Sequence, residues 1–359
     1  MKKTLYIVRK EYDGFGGAEN VAKRYAETFK DDFDTHLIFA GSEVDRYRFK
    51  GTTGPGWFKA ISFSNSVNRF LSQQKNPLVF SMTRGVPGRV FRMGDGVHSQ
   101  WLRKNKTGFI KRNINATHLL TPRLEKVSIH NSRWIVSNSE MVNNEVRSEY
   151  KVSPTCLKVI HNGYSTGQFQ FADNPRRLEL KEQVKVNDSD FNLFFCANGW
   201  ERKGLDCAIE LVSKLELEKK CHLWIAGRGD QLFFHRLAGN LGVSESLTFL
   251  GSVSDTSKWY QLADLFVLPT SYDPFSNSCL EALACGCPVL TTNSNGASEC
   301  INPSNGLVVK DPRSVSSEAT LDWIKSLQGL SRVEISNSVQ KLSSVHEIAS
   351  YVKLLRTND

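Results

Sequence analysis

The chain has 359 residues, 40% apolar and 23% charged, which suits two domains with real cores and excludes a fibrous or disordered protein. No run approaches the roughly 20 apolar residues that would span a bilayer. The formal charge of +9 is the strongest bias in the composition, and it points to anionic ligands or surfaces. The first ten residues, MKKTLYIVRK, hold too short an apolar run for a leader and read as a buried strand, so a cytoplasmic location is expected. Eight cysteines (156, 196, 207, 221, 279, 285, 287 and 300) show no C-x2-C pair and no histidines at ligand spacing. They read as buried structural thiols, with no metal site expected.

In chain order, Leu5 to Val8 is the first strand, and Gly14-Phe-Gly-Gly-Ala-Glu-Asn20 turns from it into a helix over 21–29. Glycines at such a turn let backbone approach phosphate, although the spacing is not G-x-G-x-x-G. A second strand covers 36–40, and 41–57 reads as a polar excursion. A helix is expected over 66–73 and a strand over 78–81. The strand from Val90 ends in Met-Gly-Asp95-Gly-Val-His98, an acid and an imidazole three residues apart at a strand end.

Between Arg84 and Arg133 stand eleven Lys and Arg against two acids, Asp95 and Glu125. Within this stretch, Trp101, Leu102, Phe109 and Ile110 interleave with Arg103, Lys104, Lys106, Lys111 and Arg112. An apolar anchor on a polybasic face suits anionic lipid, each cation contributing about 1 kcal/mol near the surface. It suits a phosphorylated glycolipid equally, a solvated basic face is the plainer alternative, and no nucleic-acid module accompanies it. A strand over 134–137, a helix to Tyr150 and a strand over 157–160 lead to His161-Asn-Gly-Tyr164. Polar residues 166–190 read as a linker.

The second half repeats strand and helix. The strand 191–198 runs into Gly199-Trp-Glu-Arg-Lys-Gly204, which sets Arg202 and Lys203 at its carboxyl end, a fork and a point charge for a diphosphate. A strand over 222–226 ends in Gly227-Arg-Gly-Asp230, and 247–250 leads to Gly251-Ser-Val-Ser-Asp255. The strand 264–269 precedes Asp273-Pro-Phe-Ser-Asn-Ser-Cys-Leu-Glu281, then Gly286-Cys-Pro288 opens another strand. Ser276, Asn277 and Ser278 offer N–H groups at a helix start, a site for phosphate. Asp273 and Glu281 are suited to accept hydrogen bonds from sugar hydroxyls. Helices follow to the end.

The spaced elements GG-x-E, R-K-G, G-x-G-D and D-x7-E followed by G-x-P resemble the family 4 retaining glycosyltransferases of GT-B fold, over residues 5 to about 310. Asp273 stands where that family has its first Glu, and the form of this element, with M-G-D-G-V-H and the basic stretch, resembles bacterial lipopolysaccharide-core glycosyltransferases. The resemblance implies two Rossmann-like α/β domains facing a cleft, an acceptor domain over 1–165 and a nucleotide-sugar domain over 166–335, with a last helix from about 336 crossing back. It implies that Glu281 grips the ribose, that Asp273 contacts the transferred sugar, and that Arg202, Lys203 and residues 276–278 hold the diphosphate. Gly16, Gly17 and Gly227 fall on the donor side, Asp95 is assigned to acceptor activation or orientation, and His98 to donor or acceptor contact. Asp188-Ser-Asp190 precedes a strand instead of ending one, unlike the metal motif of GT-A enzymes.

The function implied is retaining, metal-independent transfer of a hexose, UDP-glucose favoured, to a glycolipid or oligosaccharide of the lipopolysaccharide core, peripheral on the cytoplasmic face of the inner membrane. No cofactor, nucleic acid or protein partner is expected. ADP-heptose and UDP-N-acetylhexosamine are the alternative donors. A sugar-nucleotide-binding protein without transfer activity is the rival class, and a nicotinamide-dependent oxidoreductase is disfavoured by the imperfect glycine turn.

Overall fold

The computed structural model describes residues 2–10, 17–41, 48–50, 54–104, 115–184, 190–215 and 219–357. The chain divides into two compact units, one of Met1–His161 with Val345–Asp359 and one of Asn162–Ser344.

The first unit is built on strands β1 (Thr4–Val8), β2 (Asp34–Gly41), β3 (Arg48–Lys50), β4 (Leu78–Ser81), β5 (Val90–Met93), β6 (Trp134–Ser137) and β7 (Leu157–Val159). Among the described residues they form one parallel sheet in the order β3-β2-β1-β4-β5-β6-β7. Helices α1 (Gly17–Thr28), α2 (Gly56–Ser72), α3 (His98–Lys104), α4 (Ala116–Asn131) and α5 (Glu140–Tyr150) connect them. Both faces of the sheet are covered, as an all-parallel sheet requires. Leu5 and Ile7 of β1 pack to one side with Tyr25, Phe29 and Phe80, while Tyr6 and Val8 pack to the other with Phe63, Val67 and Leu71.

The C-terminal helix, Ser344–Arg356, completes the first of these faces by adding Ile348, Tyr351 and Leu355. A buried polar knot fastens it. Glu347, 1% exposed at its side chain, accepts from Arg24 Nη2 at 2.6 Å and from the Tyr25 hydroxyl. Burial raises the Tyr25 hydroxyl well above its ordinary value, so it stays a donor.

The second unit carries β8 (Phe191–Asn198), β9 (Cys221–Arg228), β10 (Leu247–Gly251), β11 (Leu265–Leu268), β12 (Val289–Thr292) and β13 (Gly306–Val309). They form a parallel sheet in the order β10-β9-β8-β11-β12-β13. Its helices are α6 (Asn174–Val184), α7 (Trp200–Lys203), α8 (Leu205–Lys214), α9 (Gln231–Asn240), α10 (Ser257–Leu262), α11 (Asn277–Ala284), α12 (Glu318–Lys325) and α13 (Arg332–Ser338). β11 and β12 are buried along their whole length, the continuous apolar runs expected of central parallel strands.

Several elements differ from the sequence expectation. The helix expected over 66–73 runs from Gly56 to Ser72; its buried face holds Phe63, Ser64, Val67 and Leu71, so a serine interrupts the apolar period in its first half. α4 lies where only a basic stretch was legible; it buries Glu125 and Ser128 beside Ile129, so its inner face has no apolar period. The expected linker 166–190 holds α6, whose Arg177 donates to the carbonyls of Gln261 and Leu262. The second unit spans 162–344, where 166–335 was expected. Ile335 and Val339 lie in its core, and Ser336 Oγ donates to the Ala284 carbonyl at 2.7 Å.

Candidate functional site

In the second unit the strand order reverses between β8 and β11, and open α/β sheets bind ligands outside the carboxyl ends of strands at such a point. The loops after these two strands are stitched together there. The Arg202 carbonyl accepts from Ser271 N at 3.1 Å, Ser271 Oγ at 3.1 Å and Thr270 Oγ1 at 3.2 Å. In return Arg202 Nη1 donates to the Tyr272 carbonyl at 2.8 Å. Lys203 and Asp273 form an ion pair, their side chains 12% and 9% exposed. Gly204 makes the approach possible: it sits at φ +79°, and a Cβ there would lie 2.1 Å from the Pro269 carbonyl oxygen.

Asp273 is fixed from its other side as well. Its backbone bridges the turn after β12, with Asp273 N donating to Ser294 O at 3.0 Å and Gly296 N to Asp273 O at 2.9 Å. Asn295 Oδ1 takes the N–H of Ser276 at 3.1 Å. Ser276 stands at the N-cap of α11, and its side chain makes no cap to the helix; its hydroxyl pairs with that of Ser278 at 2.8 Å. Asn277 Oδ1 accepts from Asn162 Nδ2 at 2.7 Å. Glu281, one turn into α11, accepts from the Tyr260 hydroxyl at 3.2 Å.

The structure therefore brings Arg202, Lys203, Asp273, Ser276, Asn277, Ser278 and Glu281 to one end of one sheet. Gly227 also lies there, at the end of β9, but crowding by its neighbour strand already accounts for the glycine. At φ +105° its Cβ would stand 1.9 Å from the Ala197 carbonyl oxygen. The sequence reading missed Tyr260, Asn162 and Asn295. All three act through contacts distant in sequence, which no local pattern reports.

The first unit holds a second polar cluster, again where the strand order reverses, between β1 and β4. Arg9 follows β1 and donates through Nη1 to Asp95 Oδ2 at 3.3 Å and to the Met82 carbonyl at 3.2 Å. Arg84 Nη1 lies 3.8 Å from the same carboxylate, and Arg84 Nε donates to Glu125 Oε1 at 2.6 Å. Burial raises the Asp95 carboxyl, but Arg9, Arg84 and Arg92 outweigh it and hold it below its ordinary value. An acid held so is a weak base, which suits orienting a ligand better than taking its proton.

His98 opens α3, its backbone N–H donating to Glu125 Oε1 at 3.1 Å, while Tyr150 donates to Glu125 Oε2 at 2.5 Å. The His98 ring stacks on Trp101, centroids 5.9 Å apart, and its Nε2 lies 3.1 Å from His118 Nδ1. Burial, Arg84 and His118 together push the His98 imidazole down to about 4, so it is neutral at physiological pH. His118, Arg9 and Arg84 were not singled out from sequence.

Of the expected membrane or acceptor residues, Trp101 is thus partly engaged by His98, and Arg103 pairs with Glu149 at 3.2 Å. Lys104 is exposed, while Lys106, Lys111 and Arg112 lie outside the described residues. Gly16 also lies outside them, and Gly17 is the first residue of α1. Among the described residues no group of three or more His, Cys, Asp or Glu could hold a metal ion, and no helix is long and apolar enough to cross a membrane. All eight cysteines are free; burial pushes the thiols of Cys196 and Cys279 up to about 12.

The family profile for glycosyl transferases group 1 matches residues 176–341, the part that carries all of the second unit's site except Asn162. An uncharacterized glycosyltransferase of Methanocaldococcus jannaschii is 31% identical over 199 residues, 54% of this chain and 51% of that protein. The lipopolysaccharide core biosynthesis glycosyltransferase LpsE of Rhizobium meliloti is 38% identical over 111 residues, 30% of this chain and 32% of that protein. The chain thus spans about half or less of the length of these curated relatives. Among solved structures, WaaG, a glycosyltransferase involved in lipopolysaccharide biosynthesis, superposes with a TM-score of 0.78 at 17% identity, covering 99% of this chain and 100% of that one. HepE of Anabaena in complex with UDP-glucose superposes with a TM-score of 0.72 at 16% identity, covering 98% and 99%. Residues 176–341 thus match the glycosyl transferases group 1 family, and the two parallel sheets are those of the GT-B fold.

Proposed function

We propose that the chain transfers a hexose from a nucleoside diphosphate sugar, UDP-glucose favoured, to a glycolipid or oligosaccharide acceptor of the lipopolysaccharide core. The observation that carries this reading is the convergence of Arg202, Lys203, Asp273, the start of α11 and Glu281 at the switch point of the second sheet. A diphosphate placed there would meet the first N–H groups of α11, left uncapped by Ser276, together with two cations. As the sugar departs, negative charge grows on the diphosphate, and groups already aimed at it stabilise the transition state most. Glu281 would take the ribose hydroxyls, and Asp273 those of the sugar. UDP-glucose bound to HepE, a structure of the same fold, supports a uridine donor. ADP-heptose and UDP-N-acetylhexosamine are the alternatives.

LpsE and WaaG, both named for lipopolysaccharide biosynthesis, support the acceptor class. Gly16, Gly17 and Gly227 would lie on the donor side, with Asp95 and His98 orienting the acceptor. Trp101, Arg103, Lys104, Lys106, Lys111 and Arg112 would face an anionic glycolipid or the cytoplasmic face of the inner membrane. Transfer would retain the anomeric configuration without a metal. The Lys203–Asp273 pair favours one second reading, a sugar-nucleotide-binding protein without transfer activity, because the carboxylate meant for the sugar is already engaged.

The test is calorimetric binding of UDP, GDP, ADP and UDP-glucose to the wild type and to Glu281→Ala. A diphosphate that binds the wild type and binds the variant much more weakly supports the site and names the base. No binding by any of the four removes the reading. Release of UDP from UDP-glucose, with or without acceptor extracts, then separates a transferase from a binder.

A further inference from the structure

We propose that Tyr260 is a positioning residue for Glu281, holding its carboxylate in the orientation that receives the ribose hydroxyls of the nucleotide. This rests on the donor-site reading above. Tyr260 lies in α10 and is fully buried. Phe169, Phe194 and Phe266 wall it in, with ring centroids 6.1, 5.1 and 5.3 Å away. The end of α10 is pinned too: Arg332 donates to the carbonyls of Gln261 and Ala263 at 2.9 and 2.8 Å. The ring therefore has no freedom to follow a moving partner.

Only its hydroxyl reaches a polar group, and it donates to Glu281 Oε2 at 3.2 Å beside the Cys196 thiol. An apolar box needs no hydroxyl. Phenylalanine would fill it without the cost of burying an oxygen. The hydroxyl is explained by what it does to Glu281. Burial raises the phenol well above its ordinary value, so it remains a donor throughout the physiological range.

Glu281 is only half-buried and has three side-chain torsions to settle. A carboxylate has about four acceptor positions, so one bond from Tyr260 fixes its plane and leaves capacity for two ribose hydroxyls. Without that bond the side chain is less ordered before binding, and binding must supply part of that order, a cost of about 0.5–1.5 kcal/mol at most. That converts to a loss of roughly 2- to 13-fold in affinity.

The test is a double-mutant cycle: the Kd of the tightest binder among UDP, ADP and GDP, measured for wild type, Tyr260→Phe, Glu281→Ala and the double variant. Tyr260→Phe is expected to weaken binding about 2- to 13-fold on the wild-type background. On the Glu281→Ala background it should change Kd less than twofold, since no carboxylate remains to orient. Equal losses on both backgrounds would mean that Tyr260 acts through packing, and no loss on either would mean that the hydroxyl is idle; both overturn the proposal. If Glu281→Ala binds much more weakly than the wild type, while Tyr260→Phe binds as the wild type does, the donor site stands and only the positioning role falls. No binding by the wild type removes both. Thermal unfolding of Tyr260→Phe, expected at the wild-type midpoint or above, checks that its box is intact.

Discussion

Replacing Asp273 by Asn removes one charge at nearly constant volume, and its consequences run in opposite directions for stability and for nucleotide affinity. In the free protein the Lys203 ammonium is 12% exposed and paired with Asp273, itself 9% exposed at its side chain. Removing one member of such a pair leaves an uncompensated buried charge, which costs about 3–5 kcal/mol; the flexible lysine stem, able to swing toward water, places the expectation near 3. A diphosphate arriving at Lys203 restores a counter-charge. Recovering even half of the penalty on binding tightens UDP about tenfold, since each 1.4 kcal/mol is a factor of ten. UDP-glucose should gain less than UDP, because the variant also lacks the carboxylate proposed to hold the sugar. Urea unfolding and calorimetry of wild type and Asp273→Asn measure both effects. Stability within 0.5 kcal/mol of wild type, or UDP bound more weakly by the variant, would refute the idea that Asp273 neutralises Lys203 until a diphosphate replaces it.

Glu347→Ala should destabilise the first unit by about 3 kcal/mol, since it removes the buried carboxylate that accepts from the Tyr25 hydroxyl and from Arg24 Nη2; urea unfolding with a loss under 1 kcal/mol would contradict this. His98 gives a pH signature. Its imidazole is depressed to about 4 in the fold against 6.5 when unfolded, so its contribution is complete above pH 6.5 and declines as pH falls toward 4. His98→Asn should flatten that part of the stability profile, and an unchanged slope between pH 6.5 and 4 would speak against the burial of a neutral ring. Gly227→Ala should cost at least about 2 kcal/mol from its positive φ and the clash with the Ala197 carbonyl. Recovery of the variant with wild-type thermal stability would show that β8 and β9 can part there.

The repeated strand–helix alternation, the glycines at strand ends and the cations directly after β8 were legible because each is local: the apolar run and the residue that ends it adjoin in sequence. The donor-side residues Arg202, Lys203, Asp273 and Glu281 were found that way. α4 and the first half of α2 were not, because buried Ser64 in α2 and buried Glu125 and Ser128 in α4 interrupt their apolar faces. The polar cluster of the first unit was visible only as Asp95 and His98. Arg9 and Arg84 join Asp95 across 86 and 11 residues of chain, and no local pattern reports such a meeting.

By itself, then, the sequence determined which elements form and which chemical groups stand at their ends, since hydrophobic period and turn chemistry act over a few residues. Tertiary structure decided what those groups do to one another. It paired Lys203 with Asp273 through the strand order β8-β11, set the Tyr260 hydroxyl against Glu281, and closed the first unit with a helix more than 300 residues away from its partner Arg24. These outcomes depend on distances between groups remote in the chain, and only the packed sheets bring them within reach.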